Sequence, residues 1–332
     1  TRPSLPLGFP LSEQEVSERA LSRFYQRLES FSPNGPDVAA AEFLEPGGRW
    51  NALINAISSY VSGAELDRVS ARDLARYDDS GVNWRVVEGY GRVIATHGRE
   101  ANVQLGCSVR QIDRRGKRLR VVTAKGTLTA DAVIITLPTN VIAEETDLFT
   151  PALPEKAEAA AGLPLGFADK LFLLLSGQED FEADSRLFGA TQRSGTAAYH
   201  VRPFGRPQIE AYFGGALAKE LEAGGQSAFH DFAATELVGL LGSRFAQRVK
   251  PVRMHCWGAD PFSRGSYSHA LPGKADCRNA LAAPVQNRLF FAGEACSPAD
   301  FSTAHGAYAT GIAAANQVIA LGQGGRHVSS KV

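Results

Sequence analysis

Cysteine is scarce in this chain, with four in 332 residues (Cys107, Cys256, Cys277 and Cys296) and no CxxC pair or zinc-type spacing among them. A disulfide scaffold is therefore not expected, and a reducing compartment, the cytoplasm, is the default reading. No run of 18 apolar residues occurs, so no membrane-spanning helix is expected. Charge of one sign is lacking as well. The 35 basic and 35 acidic residues cancel and are interspersed, which argues against nucleic acid or an anionic membrane as the main partner. There is no internal repeat and no G-x-G-x-x-G after a strand-like run. What remains is a chain that is 44% hydrophobic and long enough for a large core and two domains.

Helical periodicity fills the opening third after a Pro-rich start, "TRPSLPLGFP". Residues 11–31 read as a helix, with Ser12 and Glu15 as a capping box. A second helical stretch starts near Val38. "RWNALINAISSYVSG" forms another, ending at Gly63, and Ser70 caps a short helix over 70–77. From Trp84 the pattern changes. "WRVVEGYGRVIATHG" reads as strand, Gly-Tyr-Gly turn and helix. Strands are then expected at 102–105, 108–114, 118–123, 126–130 and 132–137. From 151 onward the order is helix, three strands ("FADKLFLLLSG", "TAAYHVRP", "PQIEAYFGG"), a helix opened by Ser227, and the strand "VKPVRMHCWG". A buried strand at 289–292 and a helix from Thr303 to Leu321 close the pattern, and residues 322–332 read as a disordered tail.

The expected fold class is α/β (α+β): an incomplete FAD/NAD(P)-binding-type domain with an inserted substrate domain of mixed sheet and helices. Residues 85–150 and 284–322 make the first, and 1–84 and 151–283 the second.

Three stretches bear on chemistry. "LFFAGEACSPADFSTAHGAYATG" is a strand ending on Gly293-Glu294, then a helix start rich in small residues. Free backbone N–H groups at such a start favour negative charge, and Glu294 can accept hydroxyl hydrogen bonds. The pair suits a polyhydroxylated, anionic cofactor, against an equally weighted reading as an ordinary αβ unit. In "GLPLGFADKLFLLL", Lys170 opens an apolar strand; on sequence alone a surface lysine is favoured over a buried amine. In "CWGADPFSRGSYSHALPG", Trp257 is a core indole or a cofactor wall.

These stretches together resemble the FAD-dependent amine oxidases. The resemblance implies that Glu294, following Gly293, holds the ribityl or pyrophosphate region and that Ala304 donates its backbone N–H to the flavin. Gly166 and Lys170 match a Gly-x-x-x-Lys whose lysine holds a water against flavin N5, which makes Lys170 the implied catalytic residue. Trp257 would pack on the flavin, with the Gly265-Ser266-Tyr267 loop beside it. Val109 would meet adenine, and Thr136 and Pro138 would mark a strand end near the phosphates. Gly89-Tyr90-Gly91 resembles the family's loop before its long helix rather than a dinucleotide fingerprint.

Two departures stand out. Thr303 lies nearest the position where the family often has an aromatic cage wall. The family's opening strand–GxGxxG–helix has no counterpart, so a segment or partner chain carrying it is the implied protein partner. The implied reaction is oxidation of a small primary or secondary amine by FAD and O2. The implied products are an imine, which is then hydrolysed, and hydrogen peroxide. The alternatives are a non-catalytic fragment or subunit of a flavoprotein, and a desaturase- or protoporphyrinogen-oxidase-like flavoenzyme.

Overall fold

The computed structural model describes residues 6–7, 9–31, 35–79, 81–177 and 180–324. The opening helix α1 (Leu11–Glu29) follows Pro10, whose carbonyl accepts the first helical N–H bonds. Ser12 therefore lies inside the helix and caps nothing, contrary to the capping-box expectation. The stretch expected to be helical from Val38 forms a single 3₁₀ turn, Ala40–Phe43. Helix α2 (Asn51–Ser62) ends at Gly63, which takes a left-handed φ of 68°. A side chain there would strike the backbone of Gly166, so the two glycines set how closely α2 approaches the segment leading to Lys170. Ser70 caps α3 (Ala71–Ala75) by accepting from the Asp73 N–H, as its sequence context predicts.

A six-stranded sheet dominates the molecule. Its order is β1 (Pro6–Leu7), β8 (Ser185–Phe188), β9 (Ala198–Val201), β10 (Gln208–Gly214), β7 (Ala168–Leu175) and β11 (Val249–Met254), antiparallel except for the β1–β8 pair. Side chains alternate between its faces. Leu171, Leu173, Tyr199, Ile209, Ala211 and Phe213 point to one face, fully buried under α7 (Gly215–Glu222) and α8 (Gly225–Leu241). Phe213 meets Phe229 of α8 edge-on at 4.9 Å between centroids. Ser227, expected to open α8, lies inside it and donates back to the Gly224 carbonyl. The opposite face carries Lys170, Phe172, Glu210, Tyr212, His200, Arg186 and Arg253, and floors two cavities.

A second body surrounds a four-stranded sheet in the order β4 (Gly126–Ala130), β3 (Leu119–Thr123), β2 (Val109–Asp113) and β6 (Phe149–Thr150). Beside it, β5 (Val133–Ile135) and β12 (Leu289–Phe291) pair in parallel. Helices α5 (Thr139–Glu144), α6 (Pro154–Ala161) and α9 (Cys277–Ala282) accompany one shared core through Ile142, Ala159 and Leu281. Lys156 of α6 is buried there and donates to the carbonyls of Ala280, Leu281 and Ala283, while Phe291 lies under its ammonium. Burial pushes its pKa down to about 8.

Helix α4 (Tyr90–His97) forms where expected, but the strands expected just before it and at 102–105 do not. Nothing in α4 is buried. The closing helix α10 (Ala304–Gly324) meets α4 through Tyr308 and His97. Part of the expected disordered tail, 322–324, belongs to this helix; the remainder lies outside the described residues.

Candidate functional site

Two cavities meet along Ser263 and Ser266. The first, about 360 Å³, is walled by Thr136–Pro138 after β5, by Ala292–Glu294 after β12, and by Ala307 of α10. Parallel pairing of β5 with β12 brings Thr136, Pro138, Gly293 and Glu294 to the same edge. Gly293 takes φ 132°, a conformation that strains any other residue, and its N–H donates to Thr310 Oγ1 at 3.0 Å. Gly306 is equally constrained, because a Cβ there would strike the Asp300 carbonyl.

Glu294 is engaged by the protein itself. Its oxygens accept from the Ser268 N–H (3.0 Å), Ser268 Oγ (2.7 Å) and the Ser302 N–H (2.7 Å). A carboxylate has about four acceptor positions, so one remains for a ligand hydroxyl. Ser268 Oγ also receives Arg278 Nη1 at 2.9 Å. Arg278 and Asp73 are both 1% exposed and form a two-pronged pair, Nε–Oδ1 2.6 Å and Nη2–Oδ2 2.7 Å. The guanidinium lies 3.8 Å from the Phe301 ring centroid. This chain of contacts locks the opening helices to the Glu294 loop. Sequence reading missed it, because Asp73 and Arg278 are far apart in the chain and neither sits in a motif.

The second cavity, about 420 Å³, is lined by Lys170, Phe172, Tyr212, Arg253, His255, Trp257 and Tyr267, among others. Lys170 is half exposed, with its ammonium 5.2 Å from the Tyr212 ring centroid and 3.9 Å from Glu210. Tyr212 and Tyr267 share a hydroxyl hydrogen bond of 2.7 Å, and Tyr267 also donates to the Tyr60 carbonyl. Burial first, then the neighbouring Tyr212, push the Tyr267 phenol well above its ordinary pKa, so it stays neutral.

Trp257 is 43% exposed and meets His255 edge-on at 4.4 Å. Its backbone is held from beneath by two carboxylates. Asp169 accepts from the Trp257 N–H at 3.2 Å and Glu222 from the Gly258 N–H at 2.8 Å. Asp169 is fully buried. Burial, then the adjacent Glu222, raise its pKa to about 7. Sequence reading singled out Lys170 but passed over this adjacent acid.

The structure thus groups Thr136, Pro138, Gly293 and Glu294 on one cavity and Lys170, Trp257 and Tyr267 on the other. Thr303 caps α10, its Oγ1 accepting the Gly306 N–H at 3.0 Å, and Ala304 follows exposed on the first turn; neither is among the residues that line these two cavities. Val109, at the start of β2, is exposed and stands apart from both.

The family described as flavin containing amine oxidoreductase matches residues 10–319. Polyamine oxidase 2 of Arabidopsis thaliana is 35% identical over 239 residues, covering 69% of this chain and 47% of that protein. Polyamine oxidase 3 of Oryza sativa subsp. japonica is 34% identical, covering 70% and 48%. The chain therefore spans about half the length of the curated relatives it matches. A solved putrescine oxidase bound to putrescine superimposes with a TM-score of 0.75 at 15% identity, over 96% of this chain and 78% of that one. On the family match across nearly its whole length, the chain belongs to the flavin-containing amine oxidoreductases.

Proposed function

We propose that this chain forms the substrate-binding part and one half of the flavin-binding part of an FAD-dependent amine oxidase. The observation that carries the reading is the continuity of the two cavities, which puts Lys170 and Trp257 in line with the Gly293–Glu294 edge. The residues present fit the cofactor. Gly293 leaves open space where a side chain would stand, Glu294 retains one acceptor for a ribityl hydroxyl, and α10 opens on the exposed Ala304 with the positive end of its dipole.

When bound, FAD supplies a two-electron oxidation, taking a hydride from the amine-bearing carbon and passing the electrons to dioxygen as hydrogen peroxide. Trp257 and the Tyr212–Tyr267 pair would orient the substrate and exclude bulk water. Lys170, facing the cavity with its ammonium over Tyr212, would hold the water that hydrolyses the imine. Ala304 would donate its N–H towards the flavin carbonyl, Thr303 would leave that side of the substrate site open, and Val109 would support the adenine end.

For the domains we keep 85–150 and 284–322 for FAD and 1–84 and 151–283 for substrate, with α6 and α9 of the latter range packing into the core around β5 and β12. The exposed apolar face around α4 supports a further element of the reading. Trp84, Tyr90, Val93, Ile94, Val103 and Leu105 all face solvent. A strand–GxGxxG–helix segment, on this polypeptide or a partner, would cover them and complete the cofactor site.

The test is an anaerobic titration of the FAD-loaded protein with primary and secondary amines, followed at the flavin visible band. Bleaching by an amine, slowed at least tenfold in Lys170→Met, is the expected result. A bound flavin that no amine bleaches would overturn the assignment.

A further inference from the structure

The indole of Trp257 is largely open, yet the turn that carries it is held by its backbone from several sides. Asp169 Oδ1 accepts the Trp257 N–H, and Glu222 Oε1 accepts the next one, that of Gly258. The Trp257 carbonyl accepts from the Gly265 N–H at 2.9 Å and from Ser263 Oγ at 3.1 Å. Gly258 has no room for a side chain, because a Cβ there would strike the Phe167 ring and the Glu222 carboxyl group. Two carboxyl groups, one near the start of β7 and one at the end of α7, thus fix two successive peptides of the residue that walls the cavity.

The pair is incomplete as two carboxylates. Among the described residues, the buried Oδ2 of Asp169 has no hydrogen-bond partner. A buried charged oxygen without a donor is strongly disfavoured. The group it adjoins is Glu222, which is an acceptor only when ionised, so a proton is needed to close the contact. No cation offers an alternative. Lys170 lies on the cavity face of β7, opposite Asp169, and Lys219 of α7 stands over the Phe167 ring at 5.6 Å. The other titratable neighbours of Asp169 are Cys256 of the turn, Tyr212 of β10 and Tyr267 of the loop beyond it. Burial raises all three above their ordinary values, so they stay neutral around pH 7. His255, which bonds Asp260 at 3.1 Å, touches the indole from the outside.

Resting on the reading of Trp257 as a wall of the amine site, we propose that Asp169 is a positioning residue that acts through Trp257. As a neutral acid it donates from Oδ2 to Glu222 while Oδ1 receives the Trp257 N–H, and this bridge sets the indole against the cavity. Loss of the proton leaves two buried negative charges side by side, which parts them and frees the Trp257 peptide.

The experiment follows Trp257 emission and its quenching by acrylamide in the full chain, from about pH 5.5 to about pH 8.5. The Trp257 signal is the difference between the protein and Trp257→Phe. Emission should move to the red and quenching should rise with pH, with a midpoint at about 7. Asp169→Asn keeps the shape of the neutral acid, its amide donating to Glu222 and accepting from Trp257 without titrating. It should hold the low-pH signal throughout. Glu222→Gln removes the like charge and should lower the midpoint by about one unit or more. His255→Gln should leave the midpoint in place. A Trp257 signal indifferent to pH, the same transition in Asp169→Asn, or its loss in His255→Gln would overturn the proposal. Flavin bleaching by amines is read separately. The expected Trp257 transition with a flavin that no amine bleaches keeps the positioning role and overturns the amine-oxidase reading. Bleaching with a Trp257 signal indifferent to pH does the reverse.

Discussion

The six-stranded sheet and the region of α4, α10, β5 and β12 use similar residues to opposite ends. In the sheet, each large apolar side chain on the α8 side is sealed, with Phe213, Leu171 and Ile209 fully buried. Around α4 the same residue types lie open, with Trp84 at 90% and Leu105 at 79% exposure. The β5–β12 pair is parallel and only three residues long, yet parallel strands are ordinarily covered on both faces. Here β12 is covered on both faces, by Ala314 of α10 on one and the core of Ile142 and Leu281 on the other, so the open apolar surface of this region lies on Ile134 of β5 and on α4. The difference is one of closure: the sheet's apolar face is sealed by α7 and α8, while the apolar residues around α4 remain open.

Substitutions can break or sharpen that contrast. The largest effect is expected at the buried pair joining the two bodies. Asp73→Ala leaves the Arg278 guanidinium uncompensated and should cost about 3–5 kcal/mol, read from urea unfolding of the chain. A cost near zero would mean that the bodies are not joined through this pair. Phe213→Ala should cost about 3–5 kcal/mol through the cavity it leaves in the sealed core.

Two pH effects of opposite sign come next. Asp169 has a raised folded-state pKa, about 7 against 3.8, so the native state binds the extra proton. Its contribution is full below pH 3.8 and is lost as pH rises to 7. His269 is buried with neither ring nitrogen hydrogen-bonded. Burial, then Arg68 and Arg278, depress it to about 4 from 6.5. Its neutral form is favoured in the fold, so that contribution is lost as pH falls from 6.5 to 4. Asp169→Asn should flatten the first slope and His269→Gln the second, followed by thermal unfolding at each pH. An unchanged slope in either variant removes that group from the account.

Smaller still, Thr303→Ala should cost about 1 kcal/mol by removing the α10 cap. Smallest, Ile94→Glu on α4 should change stability by less than about 0.5 kcal/mol while lowering self-association in light scattering. A loss as large as that of Phe213→Ala would erase the contrast between the two regions.

Much of the cofactor edge was legible in the sequence, because its elements are contiguous. A buried strand, a Gly-Glu turn and a small-residue helix start sit within 289–311 and fold locally. Strands 84–87 and 102–105 were misread because β-rich composition makes a strand only where a partner exists, and neither finds one among the described residues. The run "LFLLL" of β7 lacks alternation, so which of its residues face the cavity emerged only from pairing with β10. The Asp169–Glu222 pair depends on register and packing between distant segments, which no local pattern encodes.

The most direct test of the central claim, that this chain's own residues hold part of the flavin, is an equilibrium FAD titration of the purified protein by visible difference spectrum. The account predicts a saturable shift of the flavin band, weakened by Trp257→Leu and by Glu294→Gln. A flat titration, or one that both variants leave unchanged, would contradict it.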